Sequence, residues 1–421
     1  MRIPLIGPYV VLLRHNTRYR WLWLAQVISL TGDWFTIIAT TALVTRLSAS
    51  GLAISGLFVA RLLPPFFLGP VVGVVADRFD RRKILIASDL LRMLVVPGFL
   101  LVRSEETLWL LYALTLLQLS ISAFFEPARS ALMPAIVARR DLVTANALDG
   151  TTWSSMLAIG AALGGVATAL FGIETAFLID SATFGLSAVC VSRIHIPAAA
   201  GDDSPLVRQN GFLSYIEGLR YLWHRPHTLV LTLVKGASAL SFGAIDIVQV
   251  KFAESIFPIG ADSSGTLGMI YTAIGIGTGL APLLARRYSG DADARMRRTI
   301  TAAFVLSVVG FLGVAWSPSL PLLLAATIVR SSGSGIAWVY SSALLQMTVP
   351  DGYRGRVFAF DLAVFTLASA TSTFLGGWAF DGPGLSARQV AFACGLVAAG
   401  VLGLWLLYRR FEVLKPASGG V

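Results

Sequence analysis

The sequence predicts an all-α polytopic membrane protein with twelve transmembrane helices arranged as two six-helix bundles. Three observations carry that expectation. The 421-residue chain is 56% hydrophobic and only 13% charged, with a mean hydropathy of +0.74, more apolar than a soluble domain usually is. Its apolar residues fall into twelve runs, and about 20 helical residues suffice to cross a hydrocarbon core of roughly 30 Å. Its basic residues segregate by side. With the N-terminus in the cytoplasm, cytoplasmic segments hold 25 of the 33 Lys and Arg residues, outer loops hold Arg46, Arg103, Lys251 and Arg388, and the remaining four lie within spans. A miscount of one span would invert alternate loops and erase this bias, so both termini are expected in the cytoplasm.

A segment bearing Arg2, Arg14, Arg18 and Arg20 leads into span one, residues 21–44, which is too long for a signal-peptide core and lacks a small-residue cleavage site. Spans two to six follow at 51–76, 84–102, 108–125, 146–171 and 173–191. The chain then turns polar. Ala198 to Pro205 reads as a flexible link, and 209–223 places Phe212, Tyr215, Ile216, Leu219 and Leu222 at helical spacing beside Glu217 and Arg220, as in a helix lying on the membrane surface. Spans seven to twelve are expected at 228–250, 266–285, 299–316, 320–345, 357–380 and 389–408. The turn formers Gly172 and Pro318-Ser319 divide the two closest pairs. Domain boundaries follow: a first bundle at 1–193, a linker at 194–227, and a second bundle with a short tail at 228–421. A faint repeat supports the division, since Phe125 to Pro134 follows span four and Ser341 to Pro350 follows span ten. Repeated bundles suit alternating access.

Several functions are excluded or disfavoured. Cys190 and Cys394 are far apart in apolar runs, and His15, His195, His224 and His227 sit at segment ends without ligand spacing, so neither metal nor cofactor is expected. No Gly-rich loop ends in Lys-Ser or Lys-Thr between a strand and a helix, which argues against nucleotide binding. No nucleophile clusters with a base, so the chain is not expected to be an enzyme. The net charge of +10 is divided among short clusters rather than gathered in a nucleic-acid patch. The expected partners are a small-molecule cargo and membrane lipid, with the protein a monomer.

The residues with chemical potential are the charges inside or beside spans. Between spans two and three, Gly73, Asp77, Arg78, Arg81 and Arg82 form a compact polar loop. Positive-inside anchoring accounts for its basic residues but not for Asp77, which suits a helix cap and a gating contact with a basic group from another span. Asp33 lies midway through span one, where an ionised carboxylate must face a cavity or a partner. Cargo or proton binding and structural pairing both remain open for it, and Arg61, just before Pro64-Pro65, is its expected opposite charge. Asp89 and Arg92 share a face of span three, as a local pair or as part of the gate. Lys235 and Asp246 lie within span seven, and Lys235 has the option of snorkelling. Arg330 lies deep in span ten beside a run of small residues, open equally to structural pairing and to cavity function, with Asp180 and Asp361 as possible partners. Asp361 is also placed to act at an inner gate. Gly160, Gly164 and Gly165 in span five permit close helix packing.

These residues carry a resemblance. The loop pattern of Gly, three positions, Asp, a basic residue and a later basic pair is similar to that of the major facilitator superfamily between spans two and three; Gly73, Asp77, Arg78, Arg81 and Arg82 match, while Asp80 stands where the family usually has a second Gly. Ser29 to Asp33, Phe125 to Arg129, Ala145-Asn146-Ala147 and Arg354 to Val357 further resemble the drug-efflux branch that includes macrolide exporters and the enterobactin exporter. The resemblance implies the major facilitator fold, alternating access, and a proton gradient as energy source. The span-five glycines look like the antiporter motif of that family, without its Pro. The expectation is therefore a secondary exporter of hydrophobic or amphipathic, drug-like molecules in a bacterial cytoplasmic membrane. The alternatives are a siderophore or lipid-like metabolite exporter and a non-transporting membrane scaffold or sensor.

Overall fold

The computed structural model describes residues 7–195, 219–289 and 292–414. The expected link from Ala198 to Pro205 and most of the surface helix after it lie outside the described residues. Fifteen α-helices carry the described chain: α1 (Gly7–His15), α2 (Thr17–Leu47), α3 (Gly51–Arg78), α4 (Arg81–Val95), α5 (Leu108–Ser122), α6 (Phe125–Ile136), α7 (Leu142–Phe171), α8 (Ile173–Ser192), α9 (Pro226–Phe242), α10 (Ile245–Ser255), α11 (Ser264–Ser289), α12 (Asp293–Trp316), α13 (Leu320–Thr348), α14 (Asp351–Asp381) and α15 (Ala387–Leu414). Twelve helical stretches among the described residues are long and apolar enough to cross a membrane. The all-α, twelve-span expectation therefore holds.

The helices overrun the apolar windows, because helical hydrogen bonding continues into interfacial polar residues until a cap satisfies the terminal N–H groups. Asn16 caps α2 by accepting from the Tyr19 N–H at 3.0 Å, and Ser50 caps α3 by accepting from the Ala53 N–H at 3.2 Å. Span four continues beyond a short break at Ala123-Phe124 into α6, so the Phe125 to Pro134 motif is helical. Gly172, at φ +86°, makes the turn between α7 and α8, a conformation that glycine adopts without a Cβ penalty.

Two compact units emerge: the described residues of Met1–Gln209 together with Ala253–Thr272, and those of Asn210–Phe252 together with Ala273–Val421. The first has a buried apolar cluster that includes Tyr19, Leu22, Leu85, Phe125, Leu132 and Val191. The second has one that includes Leu231, Ile300, Phe304, Tyr340, Leu344 and Trp405.

Small residues set helix spacing in both units. A Cβ on Gly164 of α7 would lie 2.9 Å from the Trp34 carbonyl oxygen and 3.3 Å from Phe35 Cα, so α7 runs against the α2 backbone. Gly160 faces the Trp34 side chain, and Gly165 meets Gly268 of α11. In the second unit Gly310 of α12 lies directly on the Arg330 backbone of α13. A backbone neighbour cannot swing aside as a side chain does. Gly164→Ala should therefore lower the thermal unfolding midpoint of the detergent-solubilised protein, since overpacking costs about 1–3 kcal/mol. Gly150→Ala, on the same helix with nothing within 4 Å of its added Cβ, should leave the midpoint unchanged or raise it.

Candidate functional site

Each unit contains a cluster of charged side chains inside its spans. In the first, Arg92 of α4 is the centre. Its guanidinium donates to Asp89 Oδ1 at 2.6 Å and lies 3.8 Å from Asp33 Oδ1 on α2. Its flat face is 4.1 Å from the Phe184 ring centroid and 4.9 Å from that of Phe125, within the range of cation–π attraction. Ser187 of α8 donates to Asp89 Oδ2 at 2.6 Å. Asp89 and Arg92 are essentially inaccessible, whereas the Asp33 side chain is 29% exposed. Asp33 is thus the carboxylate of this group that retains accessible surface.

Asp180 of α8 extends the cluster. It is fully buried, and its two oxygens accept hydrogen bonds from the hydroxyls of Thr36 and Thr183. Gly32 makes room for this arrangement, because a Cβ there would overlap both Asp180 and Thr183. Arg92 is thus an ion-pair partner of Asp33, and Arg61, half-buried on α3, adds a second positive charge to the field at Asp33. Asp89 and Arg92, expected as a local pair or as part of the gate, form the local pair, and Arg92 joins it to Asp33. Asp180, weighed as a partner for Arg330, is held by threonine hydroxyls.

A second group in this unit links α2, α6 and α7. Arg129 donates to Asp149 at 2.5 Å, to both oxygens of Glu126, and to Gln26 at 3.3 Å. The Tyr19 hydroxyl donates to Asp149 at 3.3 Å and to the Ala145 carbonyl at 2.9 Å. Sequence reasoning noted Arg129 only within its motif and passed over Asp149. An acid inside the extended α7 helix and a basic residue in α6 were the available signal.

The loop after α3 has a plain local cause. Asp80 is the N-cap of α4, accepting from the Arg82 and Lys83 N–H groups at 2.9 and 3.2 Å. Its φ of −58° makes no demand for glycine, and the cap expected of Asp77 is supplied by Asp80. Arg81 donates to the Ala131 carbonyl at 2.9 Å, and Arg82 to that of Ser192 at 2.5 Å, so the first turn of α4 is tied to the middle of α6 and the end of α8. The side chains of Gly73, Asp77 and Arg78 lie outside the described residues.

In the second unit Lys235 of α9 and Asp361 of α14 form a buried ion pair. The ammonium lies 4.5 Å from the Trp338 ring centroid and 5.4 Å from that of Phe358. Lys235 does not snorkel; Asp361 holds it inside the unit. Arg330 is 2% exposed, with Phe242 and Phe311 ring centroids at 5.3 and 5.5 Å. Asp246 is half-buried in the first turn of α10. No group of three or more His, Cys, Asp or Glu residues is placed to hold a metal ion among the described residues.

Because Asp89 is inaccessible, Arg92→Met should destabilise the folded protein by about 3–5 kcal/mol, the usual consequence of leaving a buried charge without its partner. Arg92→Met combined with Asp89→Leu should recover most of that loss in denaturant unfolding of the micellar protein.

Comparison with known proteins places the chain in a family. A family model described as transmembrane secretion effector matches residues 10–418. The chain is 29% identical over 413 residues to the uncharacterized MFS-type transporter YfiS of Bacillus subtilis, covering 94% of this chain and 95% of that protein. It is 26% identical over 401 residues to the multidrug efflux pump Tap of Mycolicibacterium fortuitum, covering 92% and 94%. Among solved structures, the nucleoside transporter NupG superposes with a TM-score of 0.68, covering 92% of this chain and 98% of that one. Its 13% identity makes this a likeness of fold alone. The match over nearly the whole length makes the chain a member of the transmembrane secretion effector family of the major facilitator superfamily, a multi-pass secondary transporter of small molecules.

Proposed function

We propose that the protein exports hydrophobic or amphipathic, drug-like small molecules from a bacterial cytoplasm in exchange for protons, by alternating access between bundles at 1–193 and 228–421. The observation that carries this reading is the exposure of Asp33 at the edge of an otherwise buried acid–base cluster. A transporter that exchanges proton for cargo needs a group that either can occupy but both cannot. Asp33 answers that need: a proton or a cationic cargo each satisfies its charge, and the arrival of either weakens its hold on Arg92. The separate bond from Arg92 to Asp89 keeps the cation from being stranded when Asp33 lets go. The similarity to a multidrug efflux pump supports the cargo class and the efflux branch.

In this reading Lys235, Asp246, Arg61 and Arg330 supply the further charges of the transport pathway. Gly73, Asp77, Arg78, Arg81 and Arg82 form the inner gate, and Gly160, Gly164 and Gly165 the packing seam that lets span five move against its neighbours. In this reading both termini face the cytoplasm, which the charge bias supports.

Purified protein in proteoliposomes should show cargo-stimulated proton flux, and Asp33→Asn should reduce it about tenfold or more, equivalent to ~1.4 kcal/mol on the limiting barrier. The same variant should keep its unfolding midpoint. Undiminished transport against a cargo gradient by Asp33→Asn would refute the coupling role. Absence of flux across a broad cargo panel, with folded wild-type protein, would refute export itself. Cells stripped of other exporters, compared for retention of drugs and of siderophores, separate the two cargo classes.

A further inference from the structure

We propose that Lys235 and Asp361 form a recognition site for a zwitterionic headgroup, an ammonium and a carboxylate carried on an apolar body. The assignment rests on the export reading above and names a cargo class for the second unit. Asp361 uses Oδ2 to accept from Lys235, while its other oxygen, Oδ1, is buried without a hydrogen-bond donor among the described residues. The Lys235 ammonium has three N–H donors, of which Asp361 engages one; the rings of Trp338 and Phe358 lie beside it. The pair thus offers one unused acceptor and unused donors, side by side.

The pair is not needed to dock its helices. Gly236 of α9 packs directly against Val364 of α14. Ser372 donates to the Leu240 carbonyl at 2.7 Å and accepts from the Ala244 N–H at 3.0 Å, and Thr373 donates to the Gly243 carbonyl at 3.0 Å. With α9 and α14 already locked, a buried ion pair adds little that apolar side chains would not.

Charge balance selects the ligand. A singly charged ligand that displaces one partner leaves the other as an uncompensated charge in a low-dielectric interior. A zwitterion avoids that penalty: its carboxylate takes the free donors of Lys235, its ammonium donates to Asp361 Oδ1, and the four charges sum to zero. An apolar platform lies beside the pair: Trp338 is 43% exposed and packs edge-on against Phe365, with centroids 5.0 Å apart. Lys235 and Asp361 are themselves only 5% and 1% exposed, so the headgroup reaches them when the helices packed over the pair move aside in the transport cycle.

The test uses full-length protein in detergent and three probes measured by titration calorimetry: the dipeptide phenylalanylphenylalanine with free termini, its C-terminal amide, which keeps only the ammonium, and its N-acetyl form, which keeps only the carboxylate. The zwitterion should bind about tenfold tighter than either blocked form. The charge-free variant Lys235→Met with Asp361→Leu should lose that preference. Equal affinities in the wild type, no binding of the free dipeptide, or a preference retained by a folded double variant would overturn the assignment. A wild type that exports a neutral amphiphile from cells without preferring the zwitterion overturns this assignment alone and leaves export standing.

Discussion

An unpaired charge in hydrocarbon is expensive, and this constraint organises both units. In the first, one arginine and the aspartates around it are arranged so that none is stranded. Arg92 satisfies Asp89 directly and Asp33 at longer range, while two phenylalanine rings cover its face. Asp180 is met by hydroxyls instead of a cation. The arrangement spans α2, α4, α6 and α8, so the same side chains that could bind a solute also fix helix positions. A change of charge at the accessible member, Asp33, is then felt by four helices at once.

In the second unit a buried ion pair meets the same constraint. Lys235 and Asp361 neutralise each other between aromatic rings, and the helices that carry them are held together by glycine contact and by Ser372 and Thr373. Packing and charge are separable here, whereas around Arg92 they are fused. In the proposed exchange that contrast suits the two clusters to different roles, one coupling helix position to charge state and the other presenting charge on a scaffold already fixed.

Asp80 illustrates how a departure from a motif resolves once backbone geometry is visible. As a letter in the loop it replaces a turn glycine and looks unfavourable. In the structure it is an N-cap at negative φ, and the two N–H groups it satisfies are those that begin α4. The residue starts a helix, a task for which aspartate is better suited than glycine.

The sequence by itself determined the class of the protein, the number of spans and which ionisable residues fall inside apolar runs. Those features follow from local physics: hydropathy sums over a window the width of a bilayer, and positive-inside bias reads off loop composition. Asp33, Lys235 and Arg330 stood out because an ionisable group in an apolar run is conspicuous without any knowledge of its surroundings. Which charge meets which was decided only by tertiary structure. Asp33 and Arg92 are 59 positions apart in the chain, and Lys235 and Asp361 are 126 apart. Helix rotation and the close approaches permitted by Gly32, Gly164 and Gly236 determine those meetings, and periodicity in a uniformly apolar helix does not say which face looks inward.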